Sequence, residues 1–277
     1  MTSHQRLYKD MIRDTKLWNL YLAPGTDSVD VMAYCPLEDH SLFVSTIPLD
    51  NNSSSRVTAI EEAIYDNPLL LNEFNRVTVI SRCEERAILP AKVTADTDLA
   101  SDIVEEMTGI SGRQLIVDDL PLLDTAICHL IDRDIYNFLC RTFNGVKFIH
   151  RLSALTRYFH GTHRGAGSLT SHVNLRRGSL DIVLYHSDKL LLANTYQWVE
   201  PADALYFIAA TRSAFDIDRR SPVVLSGDRD VREELTPLLR QYLPTVMPAV
   251  FPAAMFRAGG QTAMNAPTDL IVMPLCE

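Results

Sequence analysis

The sequence predicts an α/β protein made of two copies of one domain, each with a mixed β-sheet. The first observation is an order of elements, three strands followed by a helix and a fourth strand, that occurs once in each half of the chain. The second is length, because 277 residues correspond to about two domains of ~150 residues. The third is composition, since 47% hydrophobic and 22% charged residues are typical of a folded protein with a buried core.

In the first copy, alternation of apolar and polar residues predicts three strands that turn-forming residues separate. These strands span residues 18–22, 29–34 and 42–47. A helix is predicted to begin at about Ser55, because Val57, Ile60 and Ile64 recur at helical spacing after a run of Ser and Asn residues that favour helix caps. The β-branched run 76–81 predicts the fourth strand.

The second copy repeats this order further along the chain. Its three strands are predicted at residues 171–175, 180–186 and 189–195, the last after a turn at Ser187-Asp188. Pro201 is predicted to begin the helix, because proline is tolerated in the first helical turn, and Leu205 and Ile208 lie on one face of it. A buried strand is predicted at 222–226, and a second helix at about 230–242.

We therefore expect a first lobe of residues 1–168 and a second lobe of residues 169–277. An insertion at about 92–160 separates the two copies and has elements of its own. These are helices at 98–107 and 132–143 and strands at 114–117, 125–130 and 146–151. The tail from Pro244 holds five of the fourteen prolines, so we expect its strands, including 270–273, to be edge strands or extended packing segments.

Charge, hydropathy and cysteine content exclude several classes of function. The net charge of -9, from 35 Asp and Glu against 26 Lys and Arg, has the wrong sign for a protein that binds nucleic acid. No run of about 18 apolar residues occurs and the first residues are polar, so we expect neither a membrane span nor a signal peptide. Five cysteines with no C-x-x-C pair indicate reduced thiols and a cytoplasmic protein.

Three short stretches carry the most specific signals in the chain. The first is Ala23-Pro24-Gly25-Thr26, in the turn after the first strand. The second runs from Asn174 to Asp181 as Asn-Leu-Arg-Arg-Gly-Ser-Leu-Asp, and the third is Val224-Leu225-Ser226-Gly227. Together with the duplicated order, these stretches resemble the phosphate and adenosine motifs of the actin, sugar-kinase and heat-shock-chaperone ATPase superfamily.

This resemblance implies an actin-like, ribonuclease H-like fold with nucleotide bound between the lobes. The residues that the resemblance assigns to a residual nucleotide cleft are Gly25, Thr26, Gly178, Ser179, Asp181, Ser226 and Gly227. The superfamily motifs begin with an aspartate that organises metal and water, whereas this chain has Ala23 and Asn174 at those positions. Because phosphoryl transfer needs Mg²⁺ held by carboxylates, we expect no catalytic residue and ATP hydrolysis near background.

In its length and in these replaced positions, the whole chain resembles a family of uncharacterised bacterial proteins, a domain of unknown function with an actin-like ATPase fold. The sequence leaves three functions open. The favoured one is a non-catalytic scaffold, a pseudo-ATPase without a cofactor that binds another protein or a small anionic ligand. The alternative is a weak ATPase or phosphotransferase that uses ATP and Mg²⁺ in the interlobe cleft. The third is a structural subunit, such as a homodimer, that presents the proline-rich tail as an exposed strand edge.

Basic and histidine-rich segments suggest further sites. Arg176 and Arg177 either bind an anionic ligand or partner by bidentate hydrogen bonds, or they project into solvent and pair with neighbouring carboxylates. The loop 164–168 lacks the Gly-Lys-Ser/Thr of a P-loop, so we interpret it as a linker between the lobes. Five of the eight histidines lie within residues 150–186, including His160 and His163, but no further ligands at zinc spacing accompany them, so we expect no metal.

Overall fold

Two five-stranded mixed sheets with the same strand order form the two lobes of the protein. The structure, a computed structural model, describes Ile12 and residues 14–162, 169–187 and 189–276. The predicted α/β class and the duplication of one sheet-plus-helix unit are confirmed. The predicted lobe boundary at residue 168, the loop 164–168, His163 and Asp188 lie outside the described residues.

The first lobe begins with the elements of the first copy. They are β1 (Asn19–Pro24), β2 (Ser28–Tyr34), β3 (Leu42–Pro48), α1 (Arg56–Tyr65) and β4 (Arg76–Ser81). Strands β1, β2 and β3 are antiparallel, and β4 pairs with β1 in parallel because α1 crosses over between β3 and β4. The Ser55 side chain accepts a hydrogen bond from the Thr58 amide and so caps the start of α1.

Residues 86–131 form a separate three-stranded unit, which we call the inserted subdomain. It consists of β5 (Arg86–Pro90), α2 (Ala91–Thr94), α3 (Thr97–Thr108), β6 (Gln114–Leu120) and β7 (Thr125–Ile131), with β7 between β5 and β6. The chain then returns to the first lobe through α4 (Arg133–Thr142) and β8 (Lys147–His150), and β8 pairs in parallel with β4. The insertion expected at 92–160 therefore begins and ends earlier, because the sheet that a strand joins depends on long-range pairing that local periodicity does not encode.

The second lobe follows the helix α5 (Arg151–Thr162), which packs between the sheets. Its elements are β9 (Leu169–Arg176), β10 (Ser179–His186), β11 (Lys189–Gln197), α6 (Pro201–Ala214), β12 (Val223–Gly227), α7 (Arg229–Tyr242) and β13 (Val246–Pro248). The order β11-β10-β9-β12-β13 reproduces the order β3-β2-β1-β4-β8 of the first lobe. Strands β9, β10 and β11 are antiparallel and β12 is parallel to β9, as the duplication predicts.

The C-terminal segment forms helices, so the strand expected at 270–273 is wrong. Helix α8 (Ala253–Met264) follows Pro252, helix α9 (Thr268–Val272) follows Pro267, and a 3-10 turn covers Met273–Leu275. Proline lacks a backbone donor, but the first helical turn does not use that donor, so proline at a helix start is compatible with a helix. Strand β13, which ends in Pro248, is at the edge of its sheet, where proline in a strand is tolerated.

Apolar cores fill each lobe and the inserted subdomain, and another core lies between the lobes. Tyr21 and Met32 from the first sheet meet Val183 and Tyr185 from the second in this interlobe core. Helices α5, α8 and α9 and the 3-10 turn that follows α9 supply many of the other apolar side chains, including the run 270–273. The central strands of both sheets are therefore buried on both faces.

The described helices and the cysteines give two findings about the chain as a whole. Within the ranges that the structure describes, no helix is long and apolar enough to cross a membrane. All five cysteines are free thiols, and Cys35 and Cys128 among them are buried.

Candidate functional site

Asp30 and Asp181 lie at equivalent positions of the two lobes, each on the second strand of its sheet. Asp30 is opposite Ala23 on β1, and Asp181 is opposite Asn174 on β9. The residues two positions further along each of these strands pack into the interlobe core, so both aspartates are on the face that points between the lobes. Each lobe therefore has a carboxylate beside the position at which the resemblance implied one.

A threonine on the third strand of each lobe binds the aspartate. Thr46 Oγ1 on β3 donates a hydrogen bond to Asp30 Oδ1 at 2.7 Å, and Thr195 Oγ1 on β11 donates to Asp181 Oδ1 at 2.7 Å. In both cases the threonine is directly opposite the aspartate in the strand register. The sequence prediction included Asp181 but missed Asp30 and both threonines. Asp30 could have been found from the sequence by its spacing. It follows Ala23 by seven residues, just as Asp181 follows Asn174 by seven residues in the second lobe.

Arg82, which directly follows β4, connects Asp30 to the C-terminal helix α9. Its Nη1 lies 2.6 Å from Asp30 Oδ2, and its Nε and Nη2 donate to the two carboxylate oxygens of Asp269 at 2.7 and 3.0 Å. The Asp269 side chain is 2% exposed. Burial alone would raise the pKa of Asp269, but the charge and hydrogen bonds of Arg82 outweigh burial and lower the pKa to about 2. Asp269 is therefore ionised, and Arg82 holds a carboxylate on each of two sides.

Two arginines and an amide surround Asp181 in the second lobe. Arg151 Nε lies 3.4 Å and Arg176 Nη2 lies 3.5 Å from Asp181 Oδ1. Asn174 Nδ2 donates to Asp181 Oδ2 at 3.1 Å, and Arg151 Nη2 donates to Thr195 Oγ1 at 3.1 Å. Burial lowers the pKa of Arg151, and the charge of Asp181 opposes that change. The two arginines therefore neutralise the one buried carboxylate.

The charges of Arg176 and Arg151 also help to lower the pKa of Asp269, so the side chains around Asp181 and those around Arg82 influence one another. Equal numbers of guanidinium and carboxylate groups take part, so their formal charges cancel. We call the six side chains the interlobe charge network: Arg82, Arg151, Arg176, Asp30, Asp181 and Asp269.

A cavity of about 800 Å³ opens beside the interlobe charge network. It is bounded by the β1–β2 turn, the start of α1, the loop between β4 and β5, the junction of β7 and α4, and the β9–β10 turn. Five arginines and five carboxylates line it, so the charged lining carries no formal net charge. These residues are Arg56, Arg82, Arg113, Arg151 and Arg176 with Asp27, Glu84, Glu85, Asp132 and Asp134.

The structure brings only part of the predicted site to this cavity. The predicted residues that line it are Gly25, Thr26, Arg176 and Ser179. Both predicted turns therefore face one space. The structure describes all residues of the predicted site. Those that do not line the cavity are Gly178, Asp181, Ser226, Gly227 and Arg177.

Packing explains why a serine and a glycine occupy positions 226 and 227, which were predicted to lie on the adenosine side of the cleft. A Cβ atom at residue 227 would lie 1.9 Å from the carbonyl oxygen of Leu175, and the φ of Gly227 is +100°. The Asp228 amide donates to that same Leu175 oxygen at 2.8 Å. Ser226 Oγ donates to Asn174 Oδ1 at 3.2 Å. Glycine is required here because the end of β12 lies against the β9 backbone.

Arg176 and Arg177 point to different places. Arg177 Nη1 lies 2.8 Å from Glu234 Oε2 on α7, and its backbone amide donates to Asp228 Oδ2 at 3.2 Å. The Arg177 side chain is 65% exposed, whereas the Arg176 side chain is 19% exposed and belongs to the interlobe charge network. The binding of an anion by this pair stays a prediction.

The histidine-rich segment falls into separate environments. His150 and His172 are buried, and His186 is exposed. In the part of the chain that the structure describes, no group of three His, Cys, Asp or Glu side chains is arranged to hold a metal ion.

Comparisons with known proteins agree with this architecture. Residues 10–246 match the model of a family described as "Protein of unknown function (DUF3822)". A Bacteroides thetaiotaomicron VPI-5482 protein, described as having an actin-like ATPase fold and unknown function, superposes with a TM-score of 0.79 at 18% sequence identity, over 95% of this chain and 97% of that chain. A structure of the PilM-PilN type IV pilus biogenesis complex superposes with a TM-score of 0.57 at 11% identity, over 95% of this chain and 99% of that chain. No curated protein matches the sequence. The predicted actin-like fold is confirmed.

Proposed function

The chain belongs to the DUF3822 family, and we propose that it is a non-catalytic protein with an actin-like fold that binds another protein or a small ligand. One fold hosts many unrelated activities, so the function depends on the residues between the lobes and not on the fold alone. The observation that carries it is the interlobe charge network, in which every aspartate is already paired with an arginine.

The residues between the lobes do not fit a magnesium ion. Mg²⁺ is held by carboxylate oxygens and waters, and Ala23 offers no ligand atom. The Asn174 side chain is already bonded to Asp181 and Ser226. A metal at Asp30 would have to displace the Arg82 guanidinium, which lies 2.6 Å away. Asp30 and Asp181 therefore act as partners of arginine and not as ligands of a metal ion.

The phosphate-binding turns also differ from what a nucleotide needs. The Gly25 amide donates to the Ser28 carbonyl at 2.8 Å and so is used within its own turn. Arg82 Nη1 lies 4.0 Å from the position that a Cβ on Gly25 would take, which puts a guanidinium beside the turn. The β9–β10 turn carries Arg176 and Arg177 in place of the glycines whose backbone amides approach phosphates closely.

The lobes are held together in a way that opposes opening and closing around a nucleotide. Leu270, Ile271, Val272 and Met273 of the C-terminal segment are each at most 1% exposed in the interlobe core. Burial of each such side chain contributes roughly 1.5–3 kcal/mol, so separating the segment from the core would cost several times that amount. Asp269, on the same segment, fixes the position of Arg82. These contacts support the proposal of a two-lobed scaffold.

A protein partner is the first class of ligand that we propose. One structural relative is described as part of a complex of two proteins, which supports this class without identifying a partner. The formal net charge of -9 supports a partner other than nucleic acid. The five free thiols support a reducing compartment such as the cytoplasm. A homodimer is compatible with the same proposal.

The cavity supports a second candidate, a small ligand bound beside the interlobe charge network. Its volume of about 800 Å³ lies within the usual ligand range of ~300–1,000 Å³. For an anionic ligand, Arg56 is the most available cation of the lining. It is exposed, and the hydrogen bond of its Nη2, at 3.2 Å, is to the neutral Gly25 carbonyl and not to a carboxylate. Arg82, Arg151 and Arg176 already face carboxylates.

The proposal is tested by adding ATP with Mg²⁺, inorganic phosphate or a dicarboxylate to the purified protein. Calorimetry and the melting temperature measure whether each of them binds. We expect no binding of ATP with Mg²⁺. Binding of phosphate or dicarboxylate that Arg56→Gln weakens and Arg177→Gln leaves unchanged would favour the small-ligand candidate. Tight binding of ATP that requires Mg²⁺ would contradict the proposal and favour the weak ATPase.

A further inference from the structure

A buried group of ionisable side chains joins the inserted subdomain to the start of α5. Asp118 on β6 and His129 on β7 lie on the face of the inserted subdomain that packs against His150 of β8 and Ser153 of α5. Asp118 is 4% exposed, and His129, His150 and Ser153 are 0% exposed. The group lies outside the interlobe cavity, and the proposed function does not use it.

Hydrogen bonds fix His150 in one neutral form. His150 Nδ1 accepts a hydrogen bond from the Leu152 amide at 3.1 Å, so this nitrogen carries no proton. His150 Nε2 lies 3.0 Å from the Cys83 carbonyl oxygen and is therefore the protonated nitrogen that donates to it. A second proton would break the bond to Leu152. His150 is thus excluded as the base of this group.

Asp118 uses one oxygen to hold the start of α5. Its Oδ2 accepts hydrogen bonds from the His150 backbone amide at 2.6 Å and from Ser153 Oγ at 2.6 Å. Burial raises the pKa of Asp118 to about 6, although these two hydrogen bonds and Arg157 act in the opposite direction. Asp119, next along β6, adds to the increase. The folded protein therefore accepts a proton at Asp118 that the unfolded chain would bind only at lower pH.

His129 is the free base beside this carboxylate. Within the described residues, neither of its ring nitrogens has a hydrogen-bond partner. Its Nδ1 lies 3.8 Å from Asp118 Oδ2, and its ring centroid lies 5.2 Å from that of His150. Burial lowers the pKa of His129 to about 3, because an imidazolium at this place would lose its contact with water. The charges of Arg86 and Arg151 lower the pKa of the neighbouring His150, so they also disfavour a positive charge in this group.

We propose that Asp118 and His129 bind one proton as a pair and that this proton switches Asp118 from its contacts with α5 to a hydrogen bond with His129. The proton comes from solvent and is held between Asp118 Oδ2 and His129 Nδ1, so the charge of the pair changes from -1 to zero. The switch removes a buried charge and gives the unpartnered imidazole a partner. It also weakens the two hydrogen bonds that Asp118 accepts from the His150 amide and from Ser153 Oγ, because their acceptor loses its charge. The joint between the inserted subdomain and α5 is therefore sensitive to pH.

Two nuclear magnetic resonance titrations of the full-length protein test this proposal. In the wild type, the Asp118 carboxyl carbon and the His129 ring nitrogens should titrate with one shared midpoint, because coupled groups have macroscopic pKa values that belong to the pair. The His150 amide proton should shift at the same midpoint, since it loses its charged acceptor. In Asp118→Asn, the His129 and His150 responses should both disappear between about pH 5 and pH 8, where an isolated buried imidazole does not titrate.

Asp119→Asn is the matched control, because Asp119 is exposed and lies next to Asp118 on β6. Because the charge of Asp119 has the smallest of these effects on the pKa of Asp118, its removal should lower the three midpoints together, by no more than a few tenths of a pH unit. The proposal is overturned if the Asp118 and His129 signals of the wild type titrate independently. It is equally overturned if neither titrates in this range, or if His129 titrates unchanged in Asp118→Asn. The wild-type experiment decides the question even if Asp118→Asn does not fold.

Discussion

Asp30 and Asp181 are equivalent side chains in the two lobes, and each accepts a 2.7 Å hydrogen bond from a threonine on the third strand of its sheet. Each aspartate also faces arginine, through Arg82 in the first lobe and through Arg151 and Arg176 in the second. The duplication thus repeats a site as well as a topology. The charges in both copies are paired within the protein.

Loss of Arg82 should strongly destabilise the protein. Arg82→Met removes the guanidinium that is directly bonded to the buried carboxylates of Asp30 and Asp269, and breaking a buried ion pair in this way costs about 3–5 kcal/mol. Arg177→Met is the control, because its pair with Glu234 is exposed and worth roughly 0–1 kcal/mol. Urea unfolding of both variants measures the difference. Equal effects would show that the buried contacts do not stabilise the fold.

Removal of Asp269 should create a site for an external carboxylate. In Asp269→Ala the Nε and Nη2 atoms of Arg82 lose both of their acceptors, at 2.7 and 3.0 Å, while its Nη1 keeps Asp30. Formate or acetate can then bind the free side of the guanidinium. We expect either anion to raise the melting temperature of this variant more than chloride does at equal ionic strength. The wild type should show no such preference, and a similar response in both proteins would contradict the account.

Gly227 should tolerate substitution less well than Gly178. Gly227→Ala puts a Cβ 1.9 Å from the Leu175 carbonyl oxygen, so β12 must move away from β9. A Cβ at Gly178 meets nothing nearer than 4.0 Å, and the cost of Gly178→Ala is limited to about 1–2 kcal/mol for its φ of +75°. Denaturant unfolding should therefore show the larger loss for Gly227→Ala. A smaller loss at residue 227 would mean that the close approach relaxes easily.

His150 should make the fold less stable in acid. Burial lowers its pKa well below the usual 6.5, so the unfolded chain binds a proton that the folded protein does not. The stability that the neutral His150 contributes is fully present above pH 6.5. It is lost as the pH falls below that value, and the free energy of unfolding decreases by about 1 kcal/mol near pH 5.5. His150→Gln should flatten this dependence in urea unfolding between about pH 8 and pH 5.5. His186→Gln, at an exposed residue, should leave the slope unchanged; a flattening there as well would refute the assignment to His150.

Local sequence patterns were sufficient for the elements of the two copies. The run 76–81 is β4 as predicted, and Ser55 caps α1 as its position before a helical repeat indicated. The membership of β8 in the first sheet was missed, because parallel pairing with β4 joins residues about 70 positions apart in the chain. The run 270–273 was predicted as a strand and is helical. A short apolar run is compatible with a buried strand and equally with a short buried helix, so periodicity alone could not distinguish them.

The site was less predictable than the fold. The pair of Arg82 and Asp269 joins residues separated by 187 positions, and nothing in either neighbourhood indicates the other. The turns at Gly25 and Ser179 line one cavity, and their motifs are local in the sequence, but their role in binding stays a prediction. The pairing of Asp30 and Asp181 with arginine could be recognised only from the distances between side chains.

Phosphate release from ATP by the purified wild-type protein, measured with saturating Mg²⁺, tests the central claim most directly. The account predicts a rate indistinguishable from that of the buffer, because Asp30 and Asp181 are bound to arginine and positions 23 and 174 lack carboxylates. Turnover in the ordinary enzyme range of ~1–10³ s⁻¹ would contradict it and would require the interlobe charge network to open during each cycle.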